Sequence, residues 1–228
     1  MTLAEQAYLN IRRDIVTGAL PPALPLRLDA LKARYKVGYS PLREALNRLQ
    51  AELMVVSAPL RGFSVAPISP ERMWDTIETR ILIESQALRQ SMARGGDVWE
   101  TEVVSALHSL TLQARRIDAA AETDEDAERQ TLDARHRAFH RALLSACGSE
   151  WLMDFADKLY TASQRYRFPG LAGDQDTPRR DLQQEHAALA EAALARMPDD
   201  AIALLVDHYR RTGDALEQAA ACRWPKTA

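Results

Sequence analysis

The sequence predicts a mainly α-helical chain in two parts, and three observations lead to this prediction. Apolar residues recur at helical spacing through most of the 228 residues. Short β-type pieces, "MVVS" and "GFSVA", are confined to residues 54–66. A proline-containing linker, "PISPE", follows them. We therefore predict an N-terminal domain of three helices and a β-hairpin at residues 1–68, and an all-α bundle at residues 69–228.

The first three helices follow from apolar spacing and from helix-ending residues. A helix over residues 3–17 carries one apolar stripe, formed by Tyr8, Ile11 and Ile15. The segment "ALPPALPL" then predicts a coil connector, and a second helix over residues 28–35 ends before Gly38. The third helix is expected to begin where Ser40 can cap it and Pro41 can take the first helical position.

The third helix has one apolar face and one polar, basic face. Four apolar residues form the expected buried stripe: Leu42, Ala45, Leu46 and Leu49. Arg43, Asn47 and Arg48 then point outward, and the hairpin that follows has Arg61 and Gly62 near its tip. A helix-turn-helix with a β-hairpin wing indicates DNA binding, because such a helix presents Arg and Asn to base edges. A merely solvated helix face is the alternative.

Charge is distributed unevenly along the chain, although the net charge is only −3. Residues 1–68 hold nine Lys and Arg against five Asp and Glu, whereas residues 69–228 hold 20 against 27. A basic N-terminal domain attracts DNA phosphates, and the acidic remainder does not. The distribution therefore agrees with a DNA partner.

Composition excludes two other classes of protein. No run of about 18 apolar residues and no secretory leader is present, so we expect a cytoplasmic protein without a membrane partner. Only Cys147 and Cys222 occur, which allows neither a disulfide framework nor a CxxC metal site. Both are expected to be ordinary thiols.

The C-terminal part is expected to contain helical segments separated by short turns. The predicted ranges are 70–93, 98–121, 124–147, 150–166, 179–196 and 198–221. The longest turn-rich segment is "FPGLAGDQDTP", which is typical of a loop over a cavity. These features predict a helical bundle with room for a ligand.

The segment "SPLREALNRLQAE" followed by "RGFSVAP" resembles the GntR family of bacterial regulators, in its FadR-like branch with an FCD sensor domain. The family's DNA-reading segment has the form SRTPVREALRRLEAEGLV. Seven residues match it, namely Pro41, Arg43, Glu44, Ala45, Leu46, Arg48 and Leu49. The resemblance implies a base contact for Arg43 and places Tyr39, Ser40, Arg61 and Gly62 near DNA.

Four positions depart from the family pattern. The family's Ser and Arg of the turn are Gly38 and Tyr39, its Gly before the wing is Leu53, and its PG pair is Pro22–Ala23. These differences leave the operator sequence open. They do not affect the expectation that the chain binds double-stranded DNA.

Four of the five histidines fall on the inward faces of bundle helices. His136 and His140 are four residues apart, while His186 and His208 lie at helical spacing from leucines. Imidazoles that converge from several helices form metal sites in bundles. A histidine that is simply part of the core is the better interpretation for any one of them alone. The fifth, His108, is expected to face solvent.

The resemblance supports the metal interpretation. Metal-binding FCD domains carry DxxxH, then a His in an "EH" pair, then a His in the last helix, and "HRAFH", "EHAALAEA" and "VDHYR" match these positions. His136 stands where the family has Asp, so four nitrogens are offered. A divalent transition metal, zinc or nickel first, is the implied cofactor.

A small carboxylate effector is expected beside the metal, because a cation with open coordination positions and a nearby guanidinium both bind carboxylates. Arg80 is the main candidate, since "TRILIESQAL" resembles the RxxLE pattern of the first FCD helix. An ion pair with Glu84, four residues on, is the alternative. Arg165 and Arg167 are weaker candidates.

Together these features predict a homodimeric transcriptional regulator, most commonly a repressor in this family, that binds a roughly palindromic operator and is not an enzyme. The alternative is a small helical metalloenzyme that uses the histidine cluster. A DNA-binding architectural protein with an inert helical body is a third possibility. Neither HExxH nor a glycine-rich phosphate loop occurs in the sequence.

Overall fold

The computed structural model describes residues 1–58, 62–119, 125–170 and 181–220. Helices dominate these residues, and a small antiparallel sheet lies near the N-terminus, which confirms the predicted fold class. In chain order the elements are α1 (Leu3–Val16), β1 (Pro25–Leu26), α2 (Leu28–Tyr35), α3 (Tyr39–Ala51), β2 (Val55–Ala58), β3 (Gly62–Val65), α4 (Pro70–Arg94), α5 (Asp97–Ala119), α6 (Glu125–Leu144), α7 (Glu150–Gly170), α8 (Leu182–Leu194) and α9 (Pro198–Ala220).

The chain folds into two compact units that do not follow a single cut in the sequence. The first unit contains residues 1–76, 158–175 and 213–228, and the second contains residues 77–157 and 176–212. Helices α4, α7 and α9 therefore contribute residues to both units. The domain boundary after residue 68 stays a prediction.

The core of the first unit forms where α1 packs against α3. The predicted stripe of α3 is buried, and so are the three apolar residues predicted for α1. Asp14 is also buried, and its Oδ2 accepts hydrogen bonds from Arg34 Nη2 at 2.7 Å and from the Tyr35 hydroxyl at 2.8 Å. The burial of this carboxylate is acceptable because it is paired.

The sheet has one more strand than the sequence predicts. Its order is β1-β3-β2, with Pro25 opposite Ser64 and Leu26 opposite Phe63. The expected hairpin is present as β2 and β3, but the connector predicted as coil supplies β1. A strand of two residues shows no alternation in sequence, and proline is tolerated only at a sheet edge.

Helix α3 begins one residue before the expected cap. Gly38 is the N-cap and no side chain caps the helix, so Ser40 is an early helical residue and the predicted capping role for it is wrong. Pro41 is the third helical residue and not the first, as predicted, but it still lies in the first turn, where its missing N–H costs no helical hydrogen bond. The DNA-facing prediction for Ser40 is independent of this correction.

Two backbone positions show why the family favours glycine there. Ala23 has φ +63° and Leu53 has φ +59°, so both adopt the left-handed conformation that glycine takes without strain. They are the alanine of the altered PG pair and the leucine before the wing. Both positions therefore have backbone angles suited to glycine although the residues here are alanine and leucine.

The second unit is a helical bundle in which α5 packs against α6 and against α8. Its fully buried apolar residues include Phe139, Leu143, Leu189 and Leu205. The predicted helices match the observed ones within a few residues, except that α7 extends to Gly170 and so includes the start of the predicted loop. The rest of that loop lies outside the described residues.

Three further sequence expectations concern thiols and the membrane. Cys147 is buried and free, whereas Cys222 lies outside the described residues. Across the described ranges, no helix combines the length and apolar composition that a membrane span requires.

The left-handed backbone at Leu53 predicts a stabilising substitution. Leu53→Gly should raise the local stability of α1 and α3 by about 0.5–1 kcal/mol, because the relief of steric strain exceeds the extra entropy of glycine in the unfolded chain. Leu53 is 66% exposed, so little packing is lost. Amide hydrogen exchange of the full chain measures the change.

Leu53→Ala is the matched control, since it removes the same side chain but keeps the Cβ that causes the strain. It should give no gain. Equal protection factors in the glycine and alanine variants would contradict the strain argument.

Candidate functional site

Four histidines from three helices come together in the second unit. His136 and His140 lie on α6, His186 lies on α8 and His208 lies on α9. One ring nitrogen of each lies within 4.8 Å of the corresponding nitrogen of every other. Three of the four are buried, at 3–4% exposure, and His136 is partly buried. The prediction that these side chains point inward and converge is confirmed.

The geometry of the cluster fits a transition-metal ion. The Nε2 atoms of His136 and His140 are 3.2 Å apart. Two nitrogens bound to one zinc ion at about 2.0–2.1 Å in tetrahedral geometry lie about 3.4 Å apart. Four neutral imidazoles are a donor set suited to zinc, nickel and copper. The residues present therefore fit a divalent transition metal.

Two of the histidines contact polar groups that lie outside the cluster. His208 Nδ1 is 2.9 Å from Glu185 Oε2, and Glu185 Oε1 is 3.7 Å from Arg211 Nη1. His140 Nδ1 is 3.0 Å from the Tyr209 hydroxyl. Neither Glu185 nor Tyr209 is among the residues predicted from the sequence. Glu185 precedes His186 and Tyr209 follows His208 in the sequence. This adjacency to two candidate ligands is the only feature of the sequence that indicates a role for them.

Arg80 lies in the same network. It is buried, its Nε donates to Glu84 Oε1 at 2.7 Å and its Nη2 donates to the Tyr209 hydroxyl at 2.9 Å. The ion pair with Glu84 is the alternative that the sequence left open, and it forms. The Tyr209 hydroxyl thus links the Arg80 guanidinium to His140 Nδ1.

The other candidate residues are placed differently. His108 is exposed, as expected. Arg165 is buried and donates to the backbone oxygen of Ala66, and Arg167 stacks over the Tyr160 ring at 4.4 Å. These contacts of both arginines lie within the first unit.

The exposed face of α3 carries the predicted polar residues. Arg43, Asn47 and Ser40 are exposed on this helix, and all of them lie on its first three turns. Tyr39, at the first position, is 45% exposed, and its hydroxyl donates to Asp29 at 2.6 Å. That hydrogen bond raises the pKa of the Tyr39 hydroxyl.

Arg48 differs from the other two outward residues because it is held by α1. Its guanidinium stacks over the Tyr8 ring at 3.7 Å and pairs with Glu52 at 3.6 Å. Tyr8 in turn donates to the same carboxylate at 2.9 Å. At the hairpin, Gly62 is exposed with φ +72°, whereas Arg61 lies outside the described residues.

Comparison with known protein families decides the classification. Residues 3–65 match the model described as bacterial regulatory proteins of the gntR family, and residues 75–211 match the FCD domain. The chain belongs to the GntR family and carries an FCD domain. It is therefore a transcriptional regulator with a helix-turn-helix DNA-binding segment.

Relatives of similar length support this classification. The chain is 37% identical over 217 residues to the HTH-type transcriptional regulator BphR of Paraburkholderia xenovorans (strain LB400), covering 95% of this chain and 86% of BphR. It is 33% identical over 219 residues to the HTH-type transcriptional repressor GlaR of Escherichia coli (strain K12), covering 94% and 96%.

Solved structures share the fold of this GntR chain. Escherichia coli McbR/YncC superimposes with a TM-score of 0.75 at 18% identity, over 96% of this chain and 99% of the other. Lar of Listeria monocytogenes gives a TM-score of 0.64 at 15% identity, over 96% and 98%. At such low identity the likeness concerns the fold alone.

The convergence of the histidines predicts metal binding. Full-length protein without an affinity tag should retain about one transition-metal ion per chain by elemental analysis. His140→Ala and His186→Ala should each lose most of it, because each removes one of the four nitrogen donors.

His108→Ala is the control, since this exposed histidine lies outside the cluster. It should keep the metal content of the unmodified protein. If both cluster variants keep their full metal content, the four histidines do not bind the metal and are only polar residues of the core.

Proposed function

We propose that this GntR protein is a homodimeric repressor whose operator affinity changes when a small organic acid binds at a metal ion, zinc or nickel, held by His136, His140, His186 and His208. The observation that carries the proposal is the convergence of four imidazoles beside a buried guanidinium. The name of the related GlaR supports the repressor role, and the relatives favour a regulator over a metalloenzyme.

Contact with DNA is assigned to the exposed face of α3 and to the wing. Arg43 and Asn47 lie four residues apart on this face, where side chains of a recognition helix reach base edges. Tyr39, Ser40, Arg61 and Gly62 are assigned to the DNA backbone. Arg48 lies on the same exposed face as Arg43 and Asn47, and we assign it to DNA as well, although its contacts with Tyr8 and Glu52 also hold α3 against α1.

One winged domain offers few base contacts, so specific binding requires two copies. We expect a homodimer that places two α3 helices on a roughly palindromic operator, with half-sites about one helical turn or less apart.

An effector carboxylate is assigned to the metal and to Arg80. A bound metal would supply a positive charge that attracts the acid, and Arg80 adds a donor pair of fixed geometry. Arg80 Nε already donates a hydrogen bond to Glu84 Oε1. An acid that binds this side of the guanidinium therefore competes with the Glu84 carboxylate. This competition favours ligands that can bind the metal at the same time.

Two sets of contacts made by α7 support a proposed coupling between the histidines and the linker. Asp157 on α7 accepts from Arg137 Nη2 at 3.1 Å and also pairs with Arg141, and both arginines lie on α6 beside His136 and His140. Further along α7, Arg165 donates to Ala66 at the linker. Helix α7 thus contacts both the helix that carries two metal ligands and the linker to the DNA-binding segment.

Burial of the charged Arg165 side chain costs free energy unless the charge is hydrogen-bonded. Its burial, and to a lesser extent the charge of Arg72, lower the pKa of its guanidinium. A buried cation needs its hydrogen-bond acceptors, so the position of Ala66 is coupled to that of α7. We propose that acid binding shifts α6 and α7 and that this contact passes the shift to residues 66–69.

Arg43→Ala should weaken operator binding by about 1–3 kcal/mol, because the side chain reads a base or binds a phosphate. Fluorescence anisotropy with operator DNA at fixed salt measures the loss. Arg89→Ala is the control, as it removes the same charge from a half-exposed arginine that pairs with Asp199 in the second unit. If both variants bind the operator equally well, Arg43 does not contact DNA.

A small acid should bind the metal-loaded protein and change operator affinity roughly 5- to 150-fold. Calorimetric titration with small mono- and dicarboxylates identifies the best acid. Arg80→Lys should then bind that acid at least several-fold more weakly, because an ammonium cannot reproduce the planar donor pair. Arg210→Lys, an exposed arginine that pairs with Glu78, is the matched control.

Arg165→Met separates coupling from binding in the same titration. It should bind the acid as the unmodified protein does but show a smaller change in operator affinity, and Arg165→Lys should restore part of the response because it keeps a donor for Ala66. An acid that binds tightly yet leaves operator affinity unchanged in the unmodified protein would refute the sensor function.

A further inference from the structure

The hydrogen bonds behind the histidine cluster determine where the imidazole protons lie. We infer that Glu84 and Tyr209 for His140, and Glu185 for His208, are positioning residues that hold both rings as the Nδ1–H tautomer. Their Nε2 lone pairs then face the centre of the cluster before any metal arrives. The inference rests on the proposed metal site for its purpose, but the proton positions follow from hydrogen bonds alone.

Two neighbours of Tyr209 fix the proton of its hydroxyl, because one can only donate hydrogen bonds and the other can only accept them. Arg80 carries only donors, and it donates to Glu84 Oε1 and to the Tyr209 oxygen. Glu84, paired with that guanidinium and 2% exposed, is a carboxylate and carries only acceptors. The single proton of the Tyr209 hydroxyl is therefore donated to Glu84 Oε2.

The remaining contact of Tyr209 has only one possible direction. Its proton is committed to Glu84, so its oxygen can only accept from His140 Nδ1, which lies 3.0 Å away. Nδ1 of His140 must then carry the hydrogen. In a neutral imidazole the other ring nitrogen, Nε2, then carries no hydrogen and has a free lone pair. Nε2 of His140 is the atom that faces His136.

His208 reaches the same tautomer through a different partner. Its Nδ1 is 2.9 Å from Glu185 Oε2, and Arg211 lies 3.7 Å from the other oxygen of this carboxylate. A carboxylate only accepts, so His208 Nδ1 donates to it. Histidines that bind metals usually have such a partner on the second ring nitrogen, which fixes the ring and increases its basicity as a ligand.

The two networks differ in their connection to the proposed effector. Glu185 is held by Arg211, whereas Glu84 is held by Arg80, the residue assigned to the acid. An acid that draws Arg80 away from Glu84 would alter the partner of Tyr209 and hence the support of His140. The His208 branch would remain unchanged by the same event.

The decisive test is long-range proton–nitrogen NMR of the metal-free full chain labelled with nitrogen-15 in histidine. His140 and His208 should show the Nδ1–H pattern, in which Nδ1 has the shift of a protonated nitrogen and Nε2 that of a bare one. His108 serves as the exposed reference for a ring without a fixed partner. An Nε2–H pattern at His140 and His208 would overturn the inference whether or not the protein binds metal.

Substitution of the positioning residues supplies a second readout. In Tyr209→Phe, His140 should lose its fixed tautomer while His208 keeps it, and in Glu185→Ala the reverse should hold. A general structural defect would not make each variant lose the fixed tautomer of one histidine while the other histidine keeps it. Circular dichroism of both metal-free variants confirms that they remain folded.

Affinity for Zn²⁺ alone, measured by competition with a chromophoric chelator, should fall roughly 10- to 100-fold in each variant. Glu191→Gln is the control, an exposed carboxylate on the same helix as Glu185. If the unmodified protein binds no zinc, the metal part of the proposed function fails while the NMR result still decides the tautomers. If it binds zinc and both variants bind equally tightly, the positioning roles are wrong.

Discussion

The convergence of four imidazoles on one point is the constraint on which the second unit depends. Helices α6, α8 and α9 must keep fixed rotations about their axes for His140, His186 and His208 to meet, and apolar residues such as Phe139 and Leu205 hold them there. Burying so many polar rings is costly unless each has partners. Tyr209 and Glu185 supply such partners for His140 and His208, which explains why polar and charged residues occur so deep in a helical bundle.

Local periodicity explains what could be predicted from the sequence. The buried stripe of α3 and the inward histidines of α6 both follow from spacings of three and four residues, which place side chains on one face of a helix. The resemblance to the GntR family added the order of the histidine motifs. It also marked Ala23 and Leu53 as positions where the family has glycine, and both have positive φ in the structure. These features depend on the backbone and on neighbours close in sequence.

The features that could not be predicted depend on residues distant in sequence. The short strand β1 exists only because β3 lies beside it, and its proline indicated a coil. Tyr209 acquires its role by meeting Glu84, which is 125 positions away, and the exposed Arg48 also stacks over Tyr8 of α1. No pattern within one helix contains this information. Arg80 forms the ion pair with Glu84 that the sequence left open as the alternative, and its role in binding an effector stays a prediction.

The central claim is that the four histidines form a metal site, and X-ray absorption at the metal edge tests it most directly. The sample is the untagged full chain loaded with one equivalent of zinc. We expect about four nitrogen ligands at about 2.0–2.1 Å, together with the outer-shell scattering of imidazole rings. A spectrum without imidazole scattering, or one with sulfur at about 2.3 Å, would show that the histidines do not hold the metal.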